Sequence, residues 1–204
     1  VLEAAVDRAV AAAEAVQGLM TNTELRILAR GVVQTGAKRI IEIGSYHGRS
    51  TTAMLAAGNA RIVCVDDFSG TWTDGAGVQP DAGDVSAAFH RNMQPFRDRV
   101  IVVDKPSHNI RCVRNALREA LGIMGGHADL TFIDGAHDYL HVAADIFTAR
   151  AFTKPGGIIC GHDIDQFEVR AAVIDHFGSD WLGDYTNPDA KMWWVHVKEH
   201  HGIR

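Results

Sequence analysis

Five short apolar runs alternate with helical stretches along most of the chain, and that alternation restricts the fold more than any other feature. The runs are KRIIEIG (38–44), RIVCVDD (61–67), RVIVVD (99–104), ADLTFIDG (128–135) and GGIICGHD (156–163). The helical stretches are RSTTAMLAAG (49–58), DVSAAFHRNMQPF (84–96), NIRCVRNALREALG (109–122), YLHVAADIFTARAF (139–152) and QFEVRAAVIDHFG (166–178). Strands this short and this apolar are covered on both faces, which means a parallel sheet with helices packed above and below. Two closing segments, DWLGDYTN and AKMWWVHV, flank the turn signal Asn187-Pro188-Asp189 and read as a terminal antiparallel pair. The pattern predicts one α/β domain over residues 1–204, with a mostly parallel seven-stranded sheet that ends antiparallel.

Two helices precede the first strand, within residues 1–36. VLEAAVDRAVAAAEAVQGLM is Ala-rich and amphipathic, and its Glu3, Asp7 and Glu14 do not suit a signal-peptide core. Thr21-Asn22-Thr23-Glu24 has the form of a capping box. It opens a second helix with Leu25, Ile27, Leu28 and Val32 at helical spacing. A net charge of −5 and the lack of any basic run leave no electrostatic footprint for nucleic acid. No apolar stretch approaches the roughly 20 residues of a membrane span. Cys64, Cys112 and Cys160 form no CxxC pair, so neither a zinc knuckle nor a disulfide framework is expected, and the cytoplasm is the expected location.

In an open parallel sheet, ligands bind beyond the carboxyl ends of the strands. There this chain places Glu42-Ile43-Gly44, Asp66-Asp67, Asp104, Asp134 and His162-Asp163. The first turn, EIGSYHGRS, spaces its glycines as Gly44-x-x-x-Gly48. It lacks the third glycine of a dinucleotide fingerprint, and no GK[ST] follows. Asp66 falls where an acidic residue bonds ribose hydroxyls in nucleoside sites. Glycines without a phosphate cradle, joined to a ribose carboxylate, suit a nucleoside without phosphate, and S-adenosylmethionine is such a ligand.

With EIGSYHGRS, VDD, DKPSH (104–108), FIDGAH and KPGGIICGHD in this order, the chain resembles the class I S-adenosylmethionine-dependent methyltransferases. More narrowly, it is similar to the metal-dependent O-methyltransferases of small molecules, including the catechol and the sugar or macrolide enzymes. The resemblance runs from about Met20 to the final strand and implies a Rossmann-like methyltransferase fold. It implies that Gly44, Tyr46 and Ser50 contact the methionine part of the cofactor, with Ser45 and Gly48 in the same loop and Glu42 supporting it. Asp66 would hold the ribose, with Asp67 beside it in place of an apolar residue under the adenine. Ser107 and His108 would lie at the adenine, and Met20–Asn22 would cover the site.

The resemblance also implies a divalent cation, usually magnesium, on Asp134 and on the pair His162-Asp163. Asp134 would adjoin the cofactor as well. Relatives carry an acidic or amide pair where this chain has His162-Asp163. Imidazole suits manganese, iron or zinc better than magnesium, so both the metal and the part played by His162 stay open. His137, where catechol-type enzymes have a lysine, becomes the candidate general base, since an imidazole with an ordinary pKa of about 6.5 titrates near neutrality. Asp138 also stands where it can cap the next helix.

The function expected is transfer of a methyl group from S-adenosylmethionine to a hydroxyl of a small molecule, without nucleic-acid or membrane partners. Relatives of this kind often form homo-oligomers. The alternatives are an NAD(P)-dependent oxidoreductase, disfavoured by the missing glycine, and a nucleoside-binding domain without activity. Residues 69–84 read as an acceptor-site loop, and Trp72 with one of Trp193 and Trp194 as candidates to border the acceptor pocket or a subunit contact. Tyr139, His141 and Asp145 are assigned to helix surface or packing, and Val142, Ala143, Ile146 and Phe147 to that helix's buried face.

Overall fold

The structure is a computed structural model that describes residues 2–72, 77–78, 84–187 and 189–198. Helices α1 (Leu2–Glu14) and α2 (Asn22–Thr35) lead into β1 (Arg39–Ile43), α3 (Arg49–Ala57) and β2 (Arg61–Asp66). A small antiparallel hairpin, β3 (Thr71–Trp72) with β4 (Gly77–Val78), is followed by α4 (Val85–Met93). After a 3-10 segment, Gln94–Arg99, come β5 (Val100–Asp104), α5 (Ile110–Met124), β6 (Ala128–Ile133) and α6 (Tyr139–Phe152). The chain closes with β7 (Thr153–Gly161), α7 (Phe167–Phe177), β8 (Leu182–Gly183) and β9 (Trp193–His196).

The main sheet has seven strands in the order β5-β2-β1-β6-β7-β9-β8. The first five are mutually parallel, and β9 runs antiparallel to both β7 and β8. The winding reverses between β1 and β6, the switch point at which such sheets bind ligands.

Side chains alternate between the two faces, so each strand feeds two apolar layers. Ile40, Ile62, Cys64 and Leu130 pack with Leu25, Leu28, Leu55 and Phe89 beneath the N-terminal helices. Ile41, Val63, Val65 and Ile133 pack on the other face with Leu117, Ile146 and Val173. Glu42 falls between Ile41 and Ile43 and therefore faces the first layer, where it is fully buried.

Element ends depart from the sequence pattern where local chemistry intervenes. α4 stops at Met93 because Pro95 cannot continue an α-helix, and the chain goes on as the 3-10 segment. β7 starts at Thr153, ahead of the expected Gly156, with a register irregularity opposite Ala128 and Leu130. Phe147 is half exposed, contrary to its expected place on the buried face of α6. It lies one position past the stripe of Val142, Ile146 and Ala149, and the Arg114 guanidinium covers its ring at 5.0 Å.

Trp193 is buried and Trp194 partly so, its ring against Gly31 of α2. Most of the expected acceptor loop (residues 73–76 and 79–83) and the side chain of Trp72 lie outside the described residues. No helix among the described residues is long and apolar enough to cross a membrane.

Candidate active site

The turn after β1 is shaped by a close approach of two strand ends. Gly44 has φ 84°, and a Cβ there would lie 2.1 Å from the carbonyl oxygen of Asp134. Only glycine fits that position. Tyr46 follows at φ 48°, an uncommon conformation for a residue with a side chain.

Two carboxylates hold this turn. Asp66 Oδ2 accepts from the backbone N–H groups of Ser45 (2.7 Å) and Tyr46 (2.8 Å), and its Oδ1 accepts from Phe68 N–H (2.7 Å). Burial raises the Asp66 pKa against these three donors. Glu42 accepts from the hydroxyls of Ser45 (2.9 Å), Ser50 (2.5 Å) and Thr51, with the Cys64 thiol 3.6 Å away. Full burial pushes Glu42 up to about 7 in spite of those hydroxyls.

Beyond the strand ends opens a cavity of about 350 Å³. Gly44, Ser45, Tyr46, Ser50, Asp66 and Asp67 line one part of it, and Ser107 and His108 another. Asp134, His137, His162 and Asp163 line a third. Glu42 and Gly48 are not on the wall. Glu42 lies beneath the turn, and Gly48 packs so tightly that a Cβ would meet Met93 Cε at 2.8 Å. Asp104, at the exposed end of β5, is also off the wall.

Gly18, Leu19 and Met20, between α1 and α2, close the cavity on the N-terminal side. Arg49 fastens this strap by donating to the carbonyls of Met20 (3.1 Å) and Val16 (2.9 Å). Asn22, expected to help cover the site, instead meets Arg49 and Glu14 below it.

The third part of the wall is a charge cluster. β6 and β7 are neighbours, with Ile133 opposite Gly161, so Asp134 and His162-Asp163 emerge side by side. Asp163 adopts φ 58°. Its Oδ2 lies 3.1 Å from His137 Nε2 and 2.9 Å from His162 Nδ1. His162 Nδ1 is also 3.7 Å from Asp134 Oδ1, and its Nε2 is 2.9 Å from Glu24 Oε1, close but off the line of a hydrogen bond.

Burial opposes charge on His162, but Asp134, Asp163 and Glu24 outweigh it and hold the imidazole up to about 11. Asp163 is buried too, yet His137 and His162 keep it well below the usual carboxylate range. Burial raises Asp134, moderated by His162. Gln166 Nε2 reaches His137 Nδ1 at 3.0 Å.

Several residues of the site were not singled out from the sequence, Gln166 among them. Glu24 looked like a helix cap and is one, accepting from Thr21 N–H (2.8 Å), but its other oxygen faces His162. Arg49 lies in EIGSYHGRS, but nothing in that stretch marked it as an anchor for the strap. His141, assigned above to surface or packing, lines the cavity, because Asp138 caps α6 and the first turn aims back at the strand ends.

A parallel sheet with a cleft at its switch point, a glycine turn and carboxylates at successive strand ends defines a Rossmann-like α/β architecture. Residues 41–164 match the family described as "Methyltransferase domain", and the chain belongs to that family. Among solved structures it is similar to cofactor-bound Rv0187 from MTB, at 21% identity over 96% of this chain and 90% of that one, TM-score 0.63. It is also similar to an O-methyltransferase from Bacillus cereus in complex with SAH, at 16% identity over 95% and 90% of the two chains, TM-score 0.62. A third is CalS11, a calicheamicin methyltransferase, at 19% identity over 84% and 76%, TM-score 0.62. At such identities the likeness is one of fold. No curated protein matches the sequence.

Proposed function

We propose that this protein transfers a methyl group from S-adenosylmethionine to a hydroxyl of a small molecule, with His137 as the general base. The observation that carries this is the placement of His137 and Asp163 on the wall of the same cavity as the glycine turn and Asp66. Solved structures of similar fold include an O-methyltransferase bound to SAH and the sugar-modifying CalS11, a TDP-rhamnose 3'-O-methyltransferase, which supports an oxygen acceptor.

Methyl transfer from a sulfonium needs an electron-rich oxygen in line with the methyl group, so the hydroxyl proton must leave. Asp163 accepts the Nε2–H of His137, which fixes the tautomer and leaves Nδ1 as the basic nitrogen. Gln166 holds that nitrogen in the resting site. An acceptor hydroxyl bound beside His137 gives its proton to the imidazole, and the resulting imidazolium is stabilised by Asp163. Asp66 and Asp67 face the ribose, and Tyr46 and Ser50 the methionine part.

Once His162 gives up the proton that its carboxylate neighbours hold on it, the donor set also fits a divalent cation. Asp134, His162 and Asp163 each offer a ligand atom, all within 4.8 Å of one another. Two carboxylates and an imidazole suit manganese, iron or zinc better than magnesium. Such an ion on these three residues would lower the pKa of the acceptor hydroxyl.

Calorimetric titration with S-adenosylhomocysteine, with and without divalent metal and chelator, tests the proposal. Binding is expected in the native chain and should be lost in Asp66→Ala, which removes the carboxylate that ties Ser45 and Tyr46 as well as the ribose contact. An absence of binding in the native chain would sink it.

A further inference from the structure

Helices α5, α6 and α7 cover the same side of the sheet, through Leu117, Ile146 and Val173, yet their outer faces differ in kind. α5 turns Arg111, Asn115 and Arg118 outward, the polar stripe expected of a surface helix. α6 buries Val142, Ile146 and Ala149, and its opposite stripe is apolar: Leu140, Ala144, Phe147 and Ala151. Leu140 is 75% exposed and Phe147 51%. α7 repeats the spacing with Phe167, Ala171 and Ile174, where Phe167 is 75% exposed and Ile174 46%.

Residues at i, i+4 and i+7 share one face of a helix, so each stripe forms a crest. The two crests run side by side because α6 and α7 touch. Tyr139 donates from its N–H to Glu168 Oε2 and from its hydroxyl to Asp175 Oδ2, both at 2.8 Å. An apolar surface continuous over two helices marks a docking face.

The charges along the seam between the helices point to what docks there. The N-terminal end of the seam is acidic, with Glu168 exposed in the first turn of α7. Its C-terminal end is basic. There Arg150, in the last turn of α6, lies over the Phe177 ring at 5.8 Å and donates to the His176 carbonyl. Asp175, between the two ends, is taken up by Tyr139. The complement of such a seam is the same seam reversed, and a two-fold axis perpendicular to the helices supplies it from a second copy of the chain. Each crest then lies antiparallel on its counterpart, with alanines at 144, 151 and 171 leaving room for close approach.

We propose that the outer face of α6 and α7 is a homodimer interface, with Leu140, Phe147, Phe167 and Ile174 at its centre. Glu168 of each copy pairs with Arg150 of the other at the two ends.

Sedimentation velocity of the full chain over a wide range of concentration tests this. A species of twice the 22.2 kDa chain mass is expected. Phe167→Glu sets a charge on the crest and should weaken dimerisation by about 30-fold or more, the scale of an interface anchor. Ile123→Glu alters an exposed side chain at the end of α5, away from the crests, and should leave the dimer unchanged. Glu168→Arg and Arg150→Glu should each weaken the dimer, and the two together should restore it, because reversing both charges re-forms the pair across the axis.

A native chain that sediments as a monomer at every concentration overturns the proposal. So does a dimer that withstands Phe167→Glu, one equally sensitive to Ile123→Glu, or a double charge reversal no tighter than the single ones. If Phe167→Glu does not fold, as judged by its thermal melt, Leu140→Glu takes its place with the same expected loss.

Discussion

Glu24 Oε1 lies 2.9 Å from His162 Nε2, joining the first turn of α2 to the residue that follows β7. The same carboxylate caps α2 and accepts from Lys191 N–H at 3.1 Å. Glu24→Ala thus leaves a buried imidazolium without one of its counter-charges. We expect it to cost about 3–5 kcal/mol, as for a broken buried ion pair. Thr21→Ala, which removes only the reciprocal cap, should cost about 1 kcal/mol. Denaturant unfolding of the two variants side by side checks this, and equal losses would mean that Glu24 acts as a cap alone.

His137→Ala should keep cofactor affinity while turnover drops by about 10²–10⁴, the usual range for loss of a general base. Calorimetry with S-adenosylhomocysteine gives the first quantity and single-turnover methylation the second. An unaltered methylation rate would remove His137 from the chemistry.

Glu42 gives the fold a pH dependence of predictable sign. In the native state it keeps its proton up to about pH 7, whereas the unfolded chain releases it near 4.5. Between those values the folded protein holds the extra proton, so stability falls as pH rises through the window. The contribution is about 3 kcal/mol, at 1.36 kcal/mol for each pKa unit. Asp145 adds a slope of the same sign from 3.8 to about 7. Glu42→Gln should therefore flatten the stability profile between about pH 5 and 7 without abolishing it. Thermal melts across that range would show it, and a profile parallel to the native one would contradict the assignment.

Arg49→Ala should loosen the strap over the cavity. It removes two charge-assisted bonds to the carbonyls of Val16 and Met20. Each is worth roughly 1.5–3 kcal/mol in stability, of which only the share felt by the bound state reaches the ligand. We expect cofactor affinity to fall by about tenfold, mainly through faster dissociation. Stopped-flow displacement of bound cofactor measures that rate directly, and an unchanged rate would mean that the strap needs no anchor.

Much of this architecture is legible in the sequence because burial on both faces leaves little choice of pattern. The five parallel strands and the capping box at Thr21 follow from apolar runs and local hydrogen-bonding chemistry, and both are present. What escaped were residues with two duties. Glu24 was already accounted for as a cap, so nothing in the sequence signalled its second oxygen. Asp145 stood in a helix beside alanines and gave no hint that helix packing would bury it.

Phe147 escaped for a different reason. Helical spacing tells which residues share a stripe but not how wide that stripe is, and Arg114 can shield a ring that the core does not reach. Acidic strand ends drew attention to Glu42 and Asp104 as much as to Asp66, Asp134 and Asp163. Only the sheet's pleat, which turns Glu42 inward, and the outer place of β5, which isolates Asp104, separate them.

The missing Cβ at Gly44 has a mechanical consequence. The main chain there approaches the Asp134 carbonyl with no space for even a methyl group, so the glycine turn and the strand end that carries Asp134 form one rigid partition. Neither can shift without dragging the other.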